Sequence, residues 1–152
     1  MNDVLLMACV GPMQSWGTRS RFEIRDTERE PSKSGIIGIL ASALGRVRED
    51  PLDDLSALRM GVRVDREGVI KRDFQTVQKV AVASGGTPTN QVSQRYYLSD
   101  AAFLVGLEGD GVLINRLQDA LKNPKRPLFL GRKSYMPSAP LYLPNGLMKQ
   151  TI

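Results

Sequence analysis

The chain of 152 residues contains no histidine and a single cysteine. The missing imidazole removes the commonest general acid–base group and the commonest metal ligand. Ser-His-Asp and Cys-His nucleophile systems are excluded outright. With Cys9 alone, neither an internal disulfide nor a cysteine-based zinc site can form. Its place in an apolar run makes it a small core residue. No stretch reaches the ~18 apolar residues of a membrane span, and the N-terminus lacks the pattern of a secretory signal. A cytoplasmic protein with no membrane association is expected. Acid is also missing from one part of the chain. Residues 122–152 hold Lys122, Lys125, Arg126, Arg132, Lys133 and Lys149 and no Asp or Glu, whereas residues 1–121 hold 15 basic and 16 acidic side chains. The net charge of +5 is therefore carried by the tail, which points to an anionic partner.

What remains is an ordinary globular composition, 41% hydrophobic, in a length that suits one domain with a real core. Residues 4–10 (VLLMACV) and 101–107 (AAFLVGL) are continuous apolar runs, read as strands buried on both faces. Residues 14–33 are dense in alternating charge and read as a long exposed loop. A helix follows, capped by Ser32 or Ser34, with Ile36, Leu40, Ala43, Leu44 and Val47 on one face. Gly35 and Gly38 are poor helix formers, read as points of close packing against a sheet. Leu58, Met60, Val62 and Val64 alternate with Arg59, Gly61 and Arg63, a strand with one apolar face. Residues 66–99 contain possible strands at 69–74 and 96–98. Between them lies an acid-free segment with a Ser-Gly-Gly-Thr-Pro centre, a long hairpin or arm that leans on a partner. Asp110 caps a second helix carrying Leu113, Leu117, Ala120 and Leu121, stopped at Asn123-Pro124. Residues 127–130 read as a short strand, 131–134 as a basic turn, and the proline-rich remainder as irregular. The order strand, helix, strand, insertion, strand, helix, strand is the α+β, ferredoxin-like (RRM-like) split βαβ plan, in which the first and third strands are central.

The chemistry-bearing residues are few. Phosphate-loop and dinucleotide glycine motifs are absent, and so is the RNP1 pattern of open-sheet RNA readers. Ser32-Lys33-Ser34-Gly35 opens a helix whose free amides suit an anion. Basic and aromatic residues interleave around Trp16, Arg19, Arg21 and Phe22, at Arg95-Tyr96-Tyr97, and at Arg132-Lys133-Ser134-Tyr135, the pairing that holds phosphates and stacks bases. The carboxylate pairs Glu49-Asp50 and Asp53-Asp54 read as solvated turn residues. No cofactor or metal is expected.

Four stretches together resemble one family: GPMQSWG at 11–17, EPSKSGIIGILASALGR at 30–46, RYYLSDAAFLVGL at 95–107 and LGRKSYMPSAPL at 130–141. In this order they are similar to the CasD-type, fifth-class CRISPR-associated subunits of the type I-E Cascade complex, within the RAMP superfamily. The resemblance implies a ferredoxin-like RAMP core over residues 1–143 with a thumb hairpin inserted at 66–99. It implies a non-catalytic subunit that binds the 5′ handle of the CRISPR RNA and contacts the backbone and large subunits, reaching target DNA only through the complex. Family members continue beyond the GRKS turn into a C-terminal subdomain, expected here to be absent or truncated, with residues 144–152 read as the start of a truncated segment. Expected RNA-binding residues are Gln14, Trp16, Arg19, Arg21, Lys33, Ser34, Lys79, Arg95, Arg132, Lys133 and Ser134. The alternative is a metal-independent endoribonuclease using Tyr96, Tyr97 or Tyr135 with Lys33 or Lys133. A related subtype cuts RNA with a Tyr/Lys/His type of site, which is incomplete here for want of histidine.

Overall fold

The computed structural model describes residues 2–17, 20–21, 24–80, 85–87 and 89–149, with backbone alone at 20–21, 24–25, 75, 77–80 and 89–93. The elements in order are β1 (Asn2–Val10), β2 (Met13–Gln14), β3 (Ser20–Arg21), β4 (Ile24–Arg25), α1 (Lys33–Leu44), α2 (Asp53–Ser56), β5 (Arg59–Arg66), β6 (Val69–Val80), β7 (Thr89–Ser99), β8 (Ala102–Asp110), α3 (Gly111–Lys122) and β9 (Tyr142–Lys149).

The two apolar runs become β1 and β8, which pair antiparallel from Asn2↔Asp110 to Val10↔Ala102 at the centre of a four-stranded sheet ordered β5-β8-β1-β9. This is the ferredoxin-like order. One face of the central strands is sealed: Leu5, Met7, Cys9, Phe103, Val105 and Leu107 are all buried, together with Ile36, Ile39 and Leu40 of α1 and Ile114, Leu117 and Leu121 of α3. Burial of about 1.5–3 kcal/mol per large apolar side chain makes this layer the main source of stability. The opposite face is less covered than the continuous runs suggest. Val4, Leu6, Ala8 and Val10 are half-buried, alternating with buried neighbours. Burial also pushes the Cys9 thiol up to about 12, so it stays protonated and inert.

Both expected caps form. The Ser32 hydroxyl accepts from the Gly35 amide at 3.2 Å, and an Asp110 carboxylate oxygen accepts from the Leu113 amide at 3.2 Å. Val47 is outside α1 and 51% exposed, so it leaves the predicted helical face. Asp54 is no idle turn residue, since both its oxygens hold the Arg46 guanidinium at 2.6 Å.

Two corrections concern topology. The fourth strand is β9 rather than residues 127–130, which run as irregular chain. β9 pairs with β1 through Asp3↔Lys149, Val4↔Met148 and Leu5↔Leu147, with a register shift before Met7↔Tyr142. A domain edge after residue 143 would thus cut through a core strand. Residues 14–33 are also not a simple exposed loop. Gln14, Ser15, Trp16 and Thr27 are buried, and β2 and β4 join a second sheet.

That second sheet centres on β7, which pairs antiparallel with β6 along its length, with β2 at Leu98 and Ser99, and parallel with β4 at Gln94 and Arg95. The inserted hairpin is therefore a ribbon of twelve and eleven residues, longer than the short strands expected at 69–74 and 96–98. Its tip at 81–84 and 88 lies outside the described residues.

Candidate nucleic-acid interface

The four motif stretches, distant in sequence, meet at one junction. Gln14 is fully buried, and its Nε2 donates to the carbonyls of Cys9 and Ala101, both at 2.9 Å. Its Oε1 accepts from Trp16 Nε1 at 3.1 Å. One amide thus satisfies carbonyls of β1 and of the β7–β8 link and orients the indole. Trp16, 1% exposed, lies flat against α1 at Gly35, where a β-carbon would stand 2.7 Å from the ring. Gly35 is there for the indole and not for a sheet. A β-carbon at Gly38 would meet nothing within 4 Å. Thr27 closes the loop, its hydroxyl accepting from the Trp16 amide and donating to the Glu28 carbonyl, each at 2.8 Å.

The same loop fixes the basic turn. Ser15 donates its amide to the Leu130 carbonyl at 3.0 Å and its hydroxyl to the Tyr96 carbonyl at 3.2 Å. Gly131 follows with φ +102°, and a β-carbon there would overlap the Ser15 carbonyl oxygen. Only glycine meets both conditions. The turn is closed by the Tyr135 amide donating to the Arg132 carbonyl at 2.9 Å. Tyr135 is buried, packs its ring 5.9 Å from Tyr97 at the hairpin base, and lies 5.5 Å below the Arg132 guanidinium. Arg132 Nη1 donates to the Tyr135 hydroxyl at 3.0 Å. The fork is braced before any ligand arrives, which lowers the entropy cost of binding.

Between the first half of α1 and the 127–133 segment runs a groove of about 280 Å³ lined by Ser34, Gly38, Ser42, Phe129, Arg132 and Lys133 among others, with no acidic residue in its lining. At its head the Ser32 cap takes the Gly35 and Ile36 amides, leaving those of Lys33 and Ser34 without intrahelical partners. Free amides, the helix dipole and two adjoining cations suit a phosphate.

The expected site residues therefore separate. Ser34, Arg132 and Lys133 line the groove, while Lys33 is exposed at the start of α1 and Ser134 is exposed next to Lys133. Arg95 is half-buried on the hairpin, opposite Asp73 in register. Gln14 and Trp16 are corrected to internal positioning residues, since burial leaves them no surface for RNA. Arg19 lies outside the described residues, as do the side chains of Arg21 and Lys79. Tyr135, named in the endoribonuclease alternative, is buried with its hydroxyl accepting from Arg132. Sequence reading missed Lys71, which stands across the ladder from Tyr97 on the side facing the turn. Only the hairpin register, set by strands longer than the apolar pattern suggests, would have found it.

The family described as CRISPR-associated protein (Cas_Cas5) matches residues 4–151. The chain belongs to the Cas5 family. Among curated relatives it is 32% identical to the CRISPR system Cascade subunit CasD of Escherichia coli (strain K12), over 94% of this chain and 71% of that protein. Among solved structures it resembles a chain titled as a crystal structure of a Cas protein, with 54% identity and TM-score 0.78 over 98% of this chain and 67% of the other. It also resembles a chain of a CRISPR RNA-guided surveillance complex, with 38% identity and TM-score 0.83 over 95% of this chain and 61% of the other. This Cas5 chain thus spans between three fifths and three quarters of these relatives. Its ferredoxin-like core and inserted hairpin agree with the RAMP fold implied by the motifs. No helix among its described residues is long and apolar enough to cross a membrane.

Proposed function

We propose that this Cas5 chain is a non-catalytic, RNA-binding subunit of a Cascade-type complex that holds the 5′ handle of the CRISPR RNA. The observation that carries this reading is the convergence of the SKSG helix start and the GRKS turn on one acid-free groove, braced from beneath by the GPMQSWG loop. Lys33, Arg132 and Lys133 neutralise phosphates, Arg95 and Lys71 extend the basic surface along the hairpin base, and the free α1 amides accept one phosphate directly. The E. coli relative is a Cascade subunit and one structural relative comes from an RNA-guided complex, which supports the same assignment. The chain would contact the backbone and large subunits and meet target DNA only within the assembly.

The test is incubation of the purified full chain with end-labelled repeat RNA in EDTA, followed by filter binding and gel analysis. The expected result is salt-sensitive retention of intact RNA carrying the handle, with weaker retention of RNA lacking it. Absence of binding, or one defined cut, would overturn the reading.

A further inference from the structure

The β6–β7 hairpin presents two unlike faces. Directly opposed residues of an antiparallel ladder share a face, so Lys71 and Asp73 stand with Tyr97 and Arg95. That face turns Tyr97 onto Tyr135 of the basic turn. The other carries Ile70, Arg72 and Phe74 with Leu98, Tyr96 and Gln94. Its inner end is sealed, for Leu98 is 1% exposed. Its outer part is open: Phe74 is 54% exposed, and the Arg72 guanidinium carbon stands 4.7 Å from the ring centroid.

A half-exposed phenylalanine on a ribbon contributes little to a core, and this one is paired with a cation. The pairing discriminates between occupants. An apolar protein surface closing over Phe74 would take the Arg72 charge out of water, at a cost only a counter-ion offsets. No carboxylate stands on this face among the described residues. An unpaired nucleobase meets both groups, because its ring stacks on the aromatic while the adjoining phosphate attracts the guanidinium. Among the described side chains of this face Arg72 is the one charged group, so the face complements an anion. Among the described residues β6 pairs with β7 alone.

We infer that Arg72 and Phe74 form a stacking platform for one unpaired base of single-stranded RNA, on the hairpin face turned away from the basic turn. The inference rests on the RNA-binding reading above and adds a second, base-dependent contact to its phosphate contacts.

The test compares a short fluorescent uridine oligomer with an abasic strand of equal length, bound by the full chain and its Phe74→Leu, Phe74→Tyr and Arg72→Gln variants. Stacking predicts that Phe74→Leu weakens the base-bearing strand about five- to tenfold and leaves the abasic strand unchanged. Phe74→Tyr should restore wild-type affinity. Arg72→Gln should weaken both strands and lower the salt slope by roughly 0.7. Equal affinity of Phe74→Leu and wild type for the base-bearing strand overturns the platform while leaving the RNA reading intact. Failure of the wild-type chain to bind either strand overturns both. If Phe74→Leu keeps its RNA affinity but no longer assembles with the other Cascade subunits, the face belongs to a protein partner and the platform is refuted.

Discussion

The two sheets of this molecule are held together by different physics. In the β5-β8-β1-β9 sheet, six side chains from the central strands are sealed beneath two helices. In the hairpin, both faces beyond Leu98 meet solvent among the described side chains, and the strands are held by their ladder and by cross-strand pairs worth about 0.2–1 kcal/mol each. Stability therefore resides in the first sheet, while the proposed RNA contacts lie on the hairpin and in the groove between α1 and the basic turn. The buried loop at Gln14, Ser15 and Trp16 links them, since it donates to carbonyls of β1, of β7, of the β7–β8 link and of the basic turn. A rigid support beneath a mobile ligand is how a small domain positions charges without enclosing them.

Substitutions can break that division at graded strength. The largest effect is expected for Trp16→Ala. It empties the space between the loop and α1 and leaves Gln14 Oε1 buried without its donor, at about 3–5 kcal/mol. Urea unfolding followed by circular dichroism would read it, and a loss under 1 kcal/mol would mean that the loop does not anchor the core. Next is Gly131→Ala, where a left-handed backbone and overlap with the Ser15 carbonyl together cost about 2 kcal/mol or more. Its melting point and its RNA affinity should fall together, because the turn cannot shift without moving Arg132. Unchanged stability would place the turn outside the anchored frame.

The smallest effect belongs to the surface pair of the core layer. The Arg46 guanidinium holds the Asp54 carboxyl below its ordinary value of 3.8. The pair therefore contributes fully above that pH, and its contribution is lost as pH falls through the lower folded value. Asp54 is 43% exposed in its side chain, so screening limits the pair to roughly 0.5–1 kcal/mol. Asp54→Asn should lower stability by that amount at neutral pH and not at all in strong acid. A difference that grows in acid would contradict the assignment.

Much of the core was legible in the sequence because its signals are local. Two apolar runs, a Ser cap and an Asp cap placed the central strands and both main helices. The fourth strand was hidden because Pro144 and Gly146 interrupt YLPNGLMK. An edge strand tolerates proline, and the β1–β9 register shift absorbs the irregularity. Gln14 and Trp16 read as surface residues because their neighbours in sequence are polar and charged. Their true neighbours are carbonyls of β1 and of the β7–β8 link, which only the tertiary fold brings together. Of the site, the SKSG and GRKS segments were legible as separate basic motifs. Their shared groove was not, because it depends on the contact between Ser15 and Gly131.

The central claim is that the braced turn beside α1 is where RNA phosphates are neutralised. Its most direct test is the salt dependence of handle-RNA affinity for the full chain and for Arg132→Ala/Lys133→Ala. The account predicts lower affinity and a log–log salt slope shallower by about 1.4, two phosphate contacts on a single strand, with stability lower by about 1–3 kcal/mol because the buried Tyr135 hydroxyl loses its Arg132 donor. A double variant with wild-type affinity and slope would contradict it.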